Sequence, residues 1–395
     1  MLPDLAEFTA PIPPDRFLST YWTRRAAYLH DPARSFDRYF SWDALNSILN
    51  SGELVYPDTA VRRKDRLVPA SEYTRGGDGK HIDPAALMRL VQDGAGFSIR
   101  GADGLWPPLR AVKTGIYDAL YEPVHTNMYY SPADQGSRCH YDLHEVFVLQ
   151  IAGAKRWKVF EPTTPFPVEP WREEDAPDES ATPYLDCTLR AGDVLYVPRG
   201  HWHDVLAEES ASLHITVGIV CRKADVLLDW LGRELQASSV WRQNVPLMGP
   251  GTADGQLPIT PDVKRWMDGV REVMLDTLRD PDVYQRFLAD TFAQTSPVVP
   301  VGLSDAGVVS PPIEGRTLRR PAGQRHIVTQ GPDNTVLLKV GGADMALEGH
   351  PPQLLARILA APSVTLRDLE AWAPALSPAE RTELLESLVQ LGLLV

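Results

Sequence analysis

Two short segments carry the residue types that could do chemistry. The first is Cys139-His140-Tyr141-Asp142-Leu143-His144-Glu145-Val146-Phe147-Val148-Leu149-Gln150; the second is Gly192-Asp193-Val194-Leu195-Tyr196-Val197-Pro198-Arg199-Gly200-His201-Trp202-His203. His140 and Asp142 are two residues apart, and residues i and i+2 of a strand point to one face. An imidazole and a carboxylate are therefore expected to reach one point. The second segment reads as a buried strand (Val194, Leu195, Val197) closed by a Pro198-x-Gly200 turn that delivers His203. Two imidazoles and one carboxylate are the facial donor set of non-haem Fe(II) oxygenases, which leaves coordination positions open. His144 and His201 share parity with these ligands and are the weaker candidates for the same role.

An iron oxygenase that uses 2-oxoglutarate must neutralise the far carboxylate of that cosubstrate inside the barrel, because a buried unpaired carboxylate is costly. Lys155, in the alternating run Lys155-Arg156-Trp157-Lys158-Val159-Phe160, is placed for this on the strand after the motif strand, and a lysine serves there as a point charge with three donors. The bland reading is a solvated lysine at a strand end. Asn127 and Tyr129 share one face of the preceding strand and could donate to the same carboxylate, and His214, on Leu213–Val217, could face the metal pocket. For these three the alternative is an ordinary polar position on a strand.

The elements that must position these side chains follow from the pattern of the chain. From 139 to 221, short apolar or alternating runs are separated by turn signals: Val146–Ile151, 155–160, Leu185–Leu189, Asp193–Val197, His203–Leu206 and Ser212–Val220. Such spacing indicates a small β-barrel or sandwich. The inferred fold is a mainly β core with α additions, a double-stranded β-helix with a metal in its mouth. Before it, Asp15–Trp22, Ser41–Leu49 (Ser41 as N-cap) and Ala85–Val91 have helical spacing, which predicts a helical flank packed on the barrel. The N-terminal domain is thus placed at 1–222, with its core at about 95–222. A helical region follows at 223–300, with amphipathic stretches over Asp225–Leu235, Pro261–Leu278 and Pro281–Phe292; it is either a dimerisation element or simple packing. Residues 301–395 are read as a linker and a winged-helix-like domain of three strands and three helices. The proline-rich stretch 296–322 marks the joint. The last of those helices carries Glu380, Glu383 and Glu386 against Arg381, whereas a recognition helix should be basic where it meets phosphates.

Composition narrows the function classes. The 395 residues carry a net charge of −13, which argues against a direct nucleic-acid partner. Three cysteines at no metal-like spacing suit a reduced, cytoplasmic protein. There is no signal-like leader and no apolar run long enough for a membrane span. The loop 162–183 is acidic and proline-rich (Glu169, Glu173, Glu174, Asp175, Asp178, Glu179) and is either a cover over the site that meets a basic substrate or a plain solvated loop.

His140-Tyr141-Asp142 with Glu145-x-Phe147-Val148-Leu149-Gln150, Gly153-x-Lys155-Arg156-Trp157, and Gly192-Asp193-x-Leu195-Tyr196-x-Pro198-Arg199-Gly200-x-x-His203 closely resemble the JmjC-type ribosomal oxygenases, also described as a JmjC-containing cupin family. Tyr21-Trp22 and Asn127-x-Tyr129 resemble theirs too. The resemblance implies a JmjC barrel, a helical dimerisation region and a C-terminal winged-helix domain that does not read DNA. It implies Fe(II) on His140, Asp142 and His203, and 2-oxoglutarate on Lys155 with Asn127 and Tyr129 assisting. Its members hydroxylate an arginine or histidine side chain of ribosomal proteins. Leu143-His144 stands where some relatives have further acidic residues, and the loop 162–183 is long, acidic and proline-rich, so the target is the part the resemblance leaves open.

The expectation is an enzyme: a 2-oxoglutarate-dependent dioxygenase that consumes O2 and hydroxylates a protein or peptide side chain, a homodimer without nucleic-acid or membrane partners. Two other readings stay open. One is a tailoring hydroxylase of a small molecule or peptide natural product. The other is a catalytically silent JmjC-like scaffold.

Overall fold

The computed structural model describes residues 4–63, 66–77, 79–169, 177–178, 181–208, 210–246, 259–294, 312–321, 326–330, 336–340, 343–347 and 351–395. Glu173, Glu174, Asp175 and Glu179 of the acidic loop, and most of 296–322, lie outside the described residues. The chain forms two compact units, Met1–Cys221 and Arg222–Val395.

In the first unit the flank is built from α1 (Leu5–Thr9), α2 (Pro14–Thr20), β1 (Ala27–Leu29), α3 (Trp42–Asn50), β2 (Thr59–Arg63), β3 (Arg66–Leu67), β4 (Thr74–Arg75), β5 (His81–Ile82), α4 (Pro84–Gln92), β6 (Gly96–Arg100), α5 (Ala102–Leu105) and α6 (Pro107–Leu120). Ser41 caps α3 as expected, its hydroxyl accepting from the Ala44 amide at 3.2 Å, which satisfies one of the open donors of the first turn. Helices α5 and α6 fall on a stretch without a sequence assignment. Pro107 and Pro108 start α6 where the missing N–H costs nothing, and Leu109, Val112 and Ile116 bury one face.

The barrel follows as β7 (Val124–Ser131), β8 (Gly136–His140), β9 (Glu145–Ala152), β10 (Ala154–Phe160), β11 (Leu185–Arg190), β12 (Val194–Val197), β13 (Trp202–Ala207) and β14 (Ser212–Ile219). One sheet has the order β1-β12-β9-β14-β7-β6-β2-β3, the other β11-β10-β13-β8. Strands β9, β12 and β14 are buried on both faces, which explains why they read as near-continuous apolar runs. On one side of the large sheet, Phe147, Leu149, Ile215 and Val217 pack into a core shared with Phe8, Phe17 and Leu45 of the flanking helices. On the other side, Val146, Val148, Leu195 and Val197 meet Trp157, Val159, Leu189 and Val205 of the small sheet. The flank therefore backs the barrel and leaves the space between the two sheets for a site.

Glycines set two close approaches. At Gly136 a Cβ would lie 1.7 Å from the Val205 carbonyl oxygen, and at Gly153 (φ +71°) 2.0 Å from that of Ala211. Each lets a neighbouring strand close on the turn that carries it.

The second unit contains α7 (Ala224–Glu234), α8 (Pro261–Arg279), α9 (Val283–Gln294), a three-stranded antiparallel sheet β15 (His326–Gln330), β16 (Val336–Val340) and β17 (Ala343–Leu347), and α10 (Pro352–Ala360), α11 (Leu366–Trp372) and α12 (Pro378–Gln390). Trp230 of α7 packs edge-on against Phe287 of α9 and donates from its indole nitrogen to Asp290 at 2.7 Å. Thr365 with Asp368, and Ser377 with Glu380, form reciprocal capping boxes at the starts of α11 and α12. Among the described residues no helix is long and apolar enough to cross a membrane.

Candidate active site

His140, Asp142 and His203 come together. Each offers a ligand atom, and these atoms lie within 4.8 Å of one another; among the described residues they are the one group of three metal-type donors so placed. The route to this geometry differs from the i, i+2 argument. His140 is the last residue of β8, whereas Asp142 lies beyond the strand, in the connection to β9. The pairing that counts is across strands: His140 stands opposite His203 of β13, with ring centroids 4.3 Å apart. Asp142 is brought in by the second motif, because the Gly200 amide donates to its carbonyl at 2.9 Å, and His203 Nε2 lies 3.8 Å from its Oδ2. Gly200 has φ +84°, and a Cβ there would strike the Pro167 ring at 2.6 Å. The Pro198-x-Gly200 turn thus positions the carboxylate as well as the second histidine.

The protonation of both imidazoles follows from their neighbours. His140 Nδ1 lies 2.8 Å from the Arg138 carbonyl oxygen, and His203 Nδ1 lies 3.1 Å from that of His201. A carbonyl can only accept, so each Nδ1 carries a hydrogen, which leaves Nε2 as the ring atom that can ligate a metal. Burial, reinforced by the neighbouring His140, holds His203 well below the usual histidine range and keeps it neutral. Backbone carbonyls behind ligating imidazoles are the usual means of fixing a metal ligand's tautomer.

The rival histidines lie elsewhere. His144 packs edge-on against His125, centroids 4.8 Å apart, over Gly218, where a Cβ would come within 2.3 Å of the His125 ring. His201 Nδ1 is 2.7 Å from the Tyr184 hydroxyl. Asp193 serves the fold: it accepts from the Arg190 amide at 2.8 Å and from the Tyr28 hydroxyl at 3.0 Å, and contacts His30 Nδ1 at 2.7 Å, holding the β11–β12 turn against β1.

A cavity of about 420 Å³ opens between the sheets and contains all three candidate ligands. Lys155, Tyr129 and His214 line it as well. Lys155 is 5% exposed and donates to Ser131 Oγ at 2.9 Å; among the described residues no carboxylate pairs with it. Burial alone pushes its ammonium down from 10.5 to about 7. The Tyr129 and His214 rings stack nearly parallel, 5.0 Å between centroids, and Trp157 stands edge-on to His214. His214 is held far below the usual histidine range by burial and then by Lys155. Its Nδ1 and the Trp157 indole nitrogen are buried without a hydrogen-bond partner.

Asn127 is not among the residues lining this cavity. It lines an adjacent one with His125, Arg100 and Asp58, and its Oδ1 accepts from the Gly101 amide at 3.3 Å. With Thr216 it hydrogen-bonds the Tyr129 hydroxyl, whose titration is nonetheless raised, mainly by burial. Ser131 and Thr216 were not singled out in the sequence. Parity could have found both, since Ser131 shares a face with Tyr129 on β7 and Thr216 with His214 on β14.

The residues fit a metal with a chelating dicarboxylate. Two neutral imidazoles and a carboxylate suit a divalent transition metal with open positions. The cavity is lined by a buried ammonium, the complement of an incoming carboxylate, and by His214 and Trp157, whose Nδ1 and Nε1 are buried without a partner.

Known proteins resemble the chain in sequence over part of its length and in fold. Residues 105–227 match the JmjC domain family. The chain is 29% identical over 222 residues to the Drosophila willistoni protein named bifunctional lysine-specific demethylase and histidyl-hydroxylase NO66, covering 54% of this chain and 28% of that protein. It is 29% identical over 215 residues to human ribosomal oxygenase 1, covering 53% of this chain and 33% of that protein. The chain thus spans about a third or less of these relatives' length. Among solved structures it is similar to Escherichia coli ycfD, with TM-score 0.57, 19% identity and 98% of each chain covered. A ycfD structure in complex with cobalt and 2-oxoglutarate gives TM-score 0.55 at 20% identity, again over 98% of each chain. These likenesses show the fold.

Proposed function

We propose that this chain, a member of the JmjC ribosomal oxygenase family, is an Fe(II)- and 2-oxoglutarate-dependent dioxygenase that hydroxylates a peptidyl side chain, Arg or His, of a ribosomal protein. The observation that carries the reading is one cavity holding both parts of the machinery: three convergent metal donors and a buried ammonium without a carboxylate. The printed names of the relatives, histidyl-hydroxylase and ribosomal oxygenase, favour a protein target over a small molecule. An intact donor set with an intact Lys155 speaks against a silent scaffold.

When bound, the metal and cosubstrate supply the oxidising chemistry: 2-oxoglutarate loses CO2 to become succinate as O2 is reduced, and one oxygen atom enters a C–H bond of the target. The chain's residues do the rest. His140 and His203 offer Nε2 lone pairs whose direction is fixed by the Arg138 and His201 carbonyls. Asp142 supplies the one negative charge of the donor set. Lys155 anchors the far carboxylate, with the Ser131 hydroxyl holding the ammonium and the His214 and Trp157 rings lining the same cavity. Asn127 and Thr216 hold the Tyr129 phenol beside that carboxylate, so Asn127 assists through Tyr129. The apolar walls Val146, Val148, Val197 and Val205 keep water from the reacting centre.

The remaining parts of the reading concern the rest of the chain. The domains are taken as 1–222, 223–300 and 301–395. Helices α7 to α9 are taken as a homodimerisation region: Leu228, Met267, Tyr284 and Leu288 are exposed on them. The sheet β15–β17 with α10–α12 is taken as a winged-helix-like module that does not contact nucleic acid, since the one arginine of α12, Arg381, bonds the Ala373 and Pro374 carbonyls. A cytoplasmic location suits the reduced cysteines, which are all free.

The test is mass spectrometry of ribosomal proteins from cells with and without this protein. An oxygen-mass increment on one Arg or His, present only with the protein, is expected. Identical spectra would remove the ribosomal target.

A further inference from the structure

The charge of the cavity mouth stands against that of the chain. The protein carries −13 overall, so a dianionic cosubstrate approaching from bulk solvent meets net repulsion at long range. The residues lining the cavity have the opposite balance. Among the described residues that line it, Arg62, Arg138 and Lys155 are the cations and Asp142 is the only carboxylate. That carboxylate is committed to the metal donor set. Lys155 is at the closed end, 5% exposed, whereas Arg62 and Arg138 are exposed.

The two arginines are placed by unrelated elements. Arg62 lies on β2 opposite Gly96 of β6, and both residues line the cavity. Arg138 lies on β8, inside the register shift between the Ser137–Val205 and His140–His203 pairs; its side chain lines the cavity while its carbonyl fixes the tautomer of His140. Each is an exposed side chain lining the cavity, and neither belongs to the metal donor set.

Resting on the oxygenase reading, we propose that Arg62 and Arg138 form an electrostatic funnel that draws the dicarboxylate cosubstrate through the mouth towards Lys155. At physiological ionic strength the Debye length is about 8 Å, so distant acidic residues are screened and the local pair governs the last approach. The low-dielectric walls between the sheets focus that field. The funnel acts on arrival: once the cosubstrate is seated, Lys155 and the metal hold it.

The experiment is stopped-flow binding of 2-oxoglutarate to the Zn(II)-loaded full chain, followed through tryptophan fluorescence, for wild type and for Arg62→Gln with Arg138→Gln over a salt series. The association rate constant of wild type should fall steeply with salt. The double variant should associate roughly tenfold more slowly at low salt and show a flat salt dependence, with an unchanged dissociation rate constant. Equal association rates and slopes would overturn the funnel and leave the oxygenase reading standing. A loss expressed in faster dissociation would also overturn it, since the arginines would then be contacts that hold the ligand. Absence of 2-oxoglutarate binding in wild type would overturn the funnel and the oxygenase reading together.

Discussion

Lys155 Nζ donates to Ser131 Oγ at 2.9 Å in the closed part of the cavity and, among the described residues, meets no carboxylate there. Burial brings its ammonium down to about 7, against about 10.4 in an unfolded chain. Between these values the unfolded state binds the extra proton, so stability rises with pH across that window. Below about pH 7 the full penalty stands, of order 5 kcal/mol. A bound dicarboxylate favours the charged lysine and reverses this. Calorimetric titration of 2-oxoglutarate near about pH 8.5, in buffers of different ionisation enthalpy, should show uptake of close to one proton. Affinity should decline as pH rises above 7. Proton-neutral binding at that pH would place another residue on the carboxylate.

Removing a metal donor should remove metal. His140→Ala and Asp142→Ala change half-buried side chains at the end of β8 and just beyond it, so the fold should persist by circular dichroism. Fe(II) or Mn(II) binding should fall by at least about a hundredfold, and succinate formation should fall to background. Full metal affinity in either variant would remove that residue from the donor set.

Gly136→Ala acts on the metal from four residues away. Its Cβ would stand 1.7 Å from the Val205 carbonyl oxygen, a backbone atom that cannot step aside. Strands β8 and β13 must part, and their pairing is what sets His140 opposite His203. The expected result is about 1–3 kcal/mol of lost stability, with metal affinity reduced more than in a surface control such as Gly77→Ala, where a Cβ meets open space. Equal metal affinity in the two variants would contradict the cross-strand account.

His214→Phe tests the far end of the cavity. The ring still stacks on Tyr129, but the unpartnered Nδ1 is lost. The 2-oxoglutarate KM and Kd should rise about 10- to 150-fold, the scale of about 1.5–3 kcal/mol for a hydrogen bond to a charged group, while metal affinity is unchanged. An unaltered Kd would leave Lys155 as sole anchor.

The barrel and its ligands were legible because apolar runs bounded by turn signals mark strands, and because chemistry-bearing residues sit at their ends. The expected runs Val146–Ile151, Asp193–Val197 and Ser212–Val220 correspond to the strands at 145–152, 194–197 and 212–219, within one residue at each end. What the pattern could not supply was the partner across the sheet. Strand parity put His140 and Asp142 on one face, whereas the structure brings them together through β13 and the Gly200 turn. Gly192-Asp193 looked like part of the metal motif, and its carboxylate instead bonds Tyr28, 165 residues away in the chain. Asn127 and Tyr129 share a face as expected, yet line different cavities, and Asn127 Oδ1 accepts from the Gly101 amide. These are long-range contacts, which a local period does not encode.

The central claim is that one cavity binds a metal on His140, Asp142 and His203 and 2-oxoglutarate on Lys155. The most direct measurement is conversion of labelled 2-oxoglutarate to succinate and CO2 by the purified chain, with and without Fe(II), in wild type and Lys155→Ala, with extracted ribosomal proteins present. The account predicts turnover that requires Fe(II) and needs a much higher 2-oxoglutarate concentration in Lys155→Ala. Turnover indifferent to Fe(II), or an unchanged concentration dependence in the variant, would contradict it.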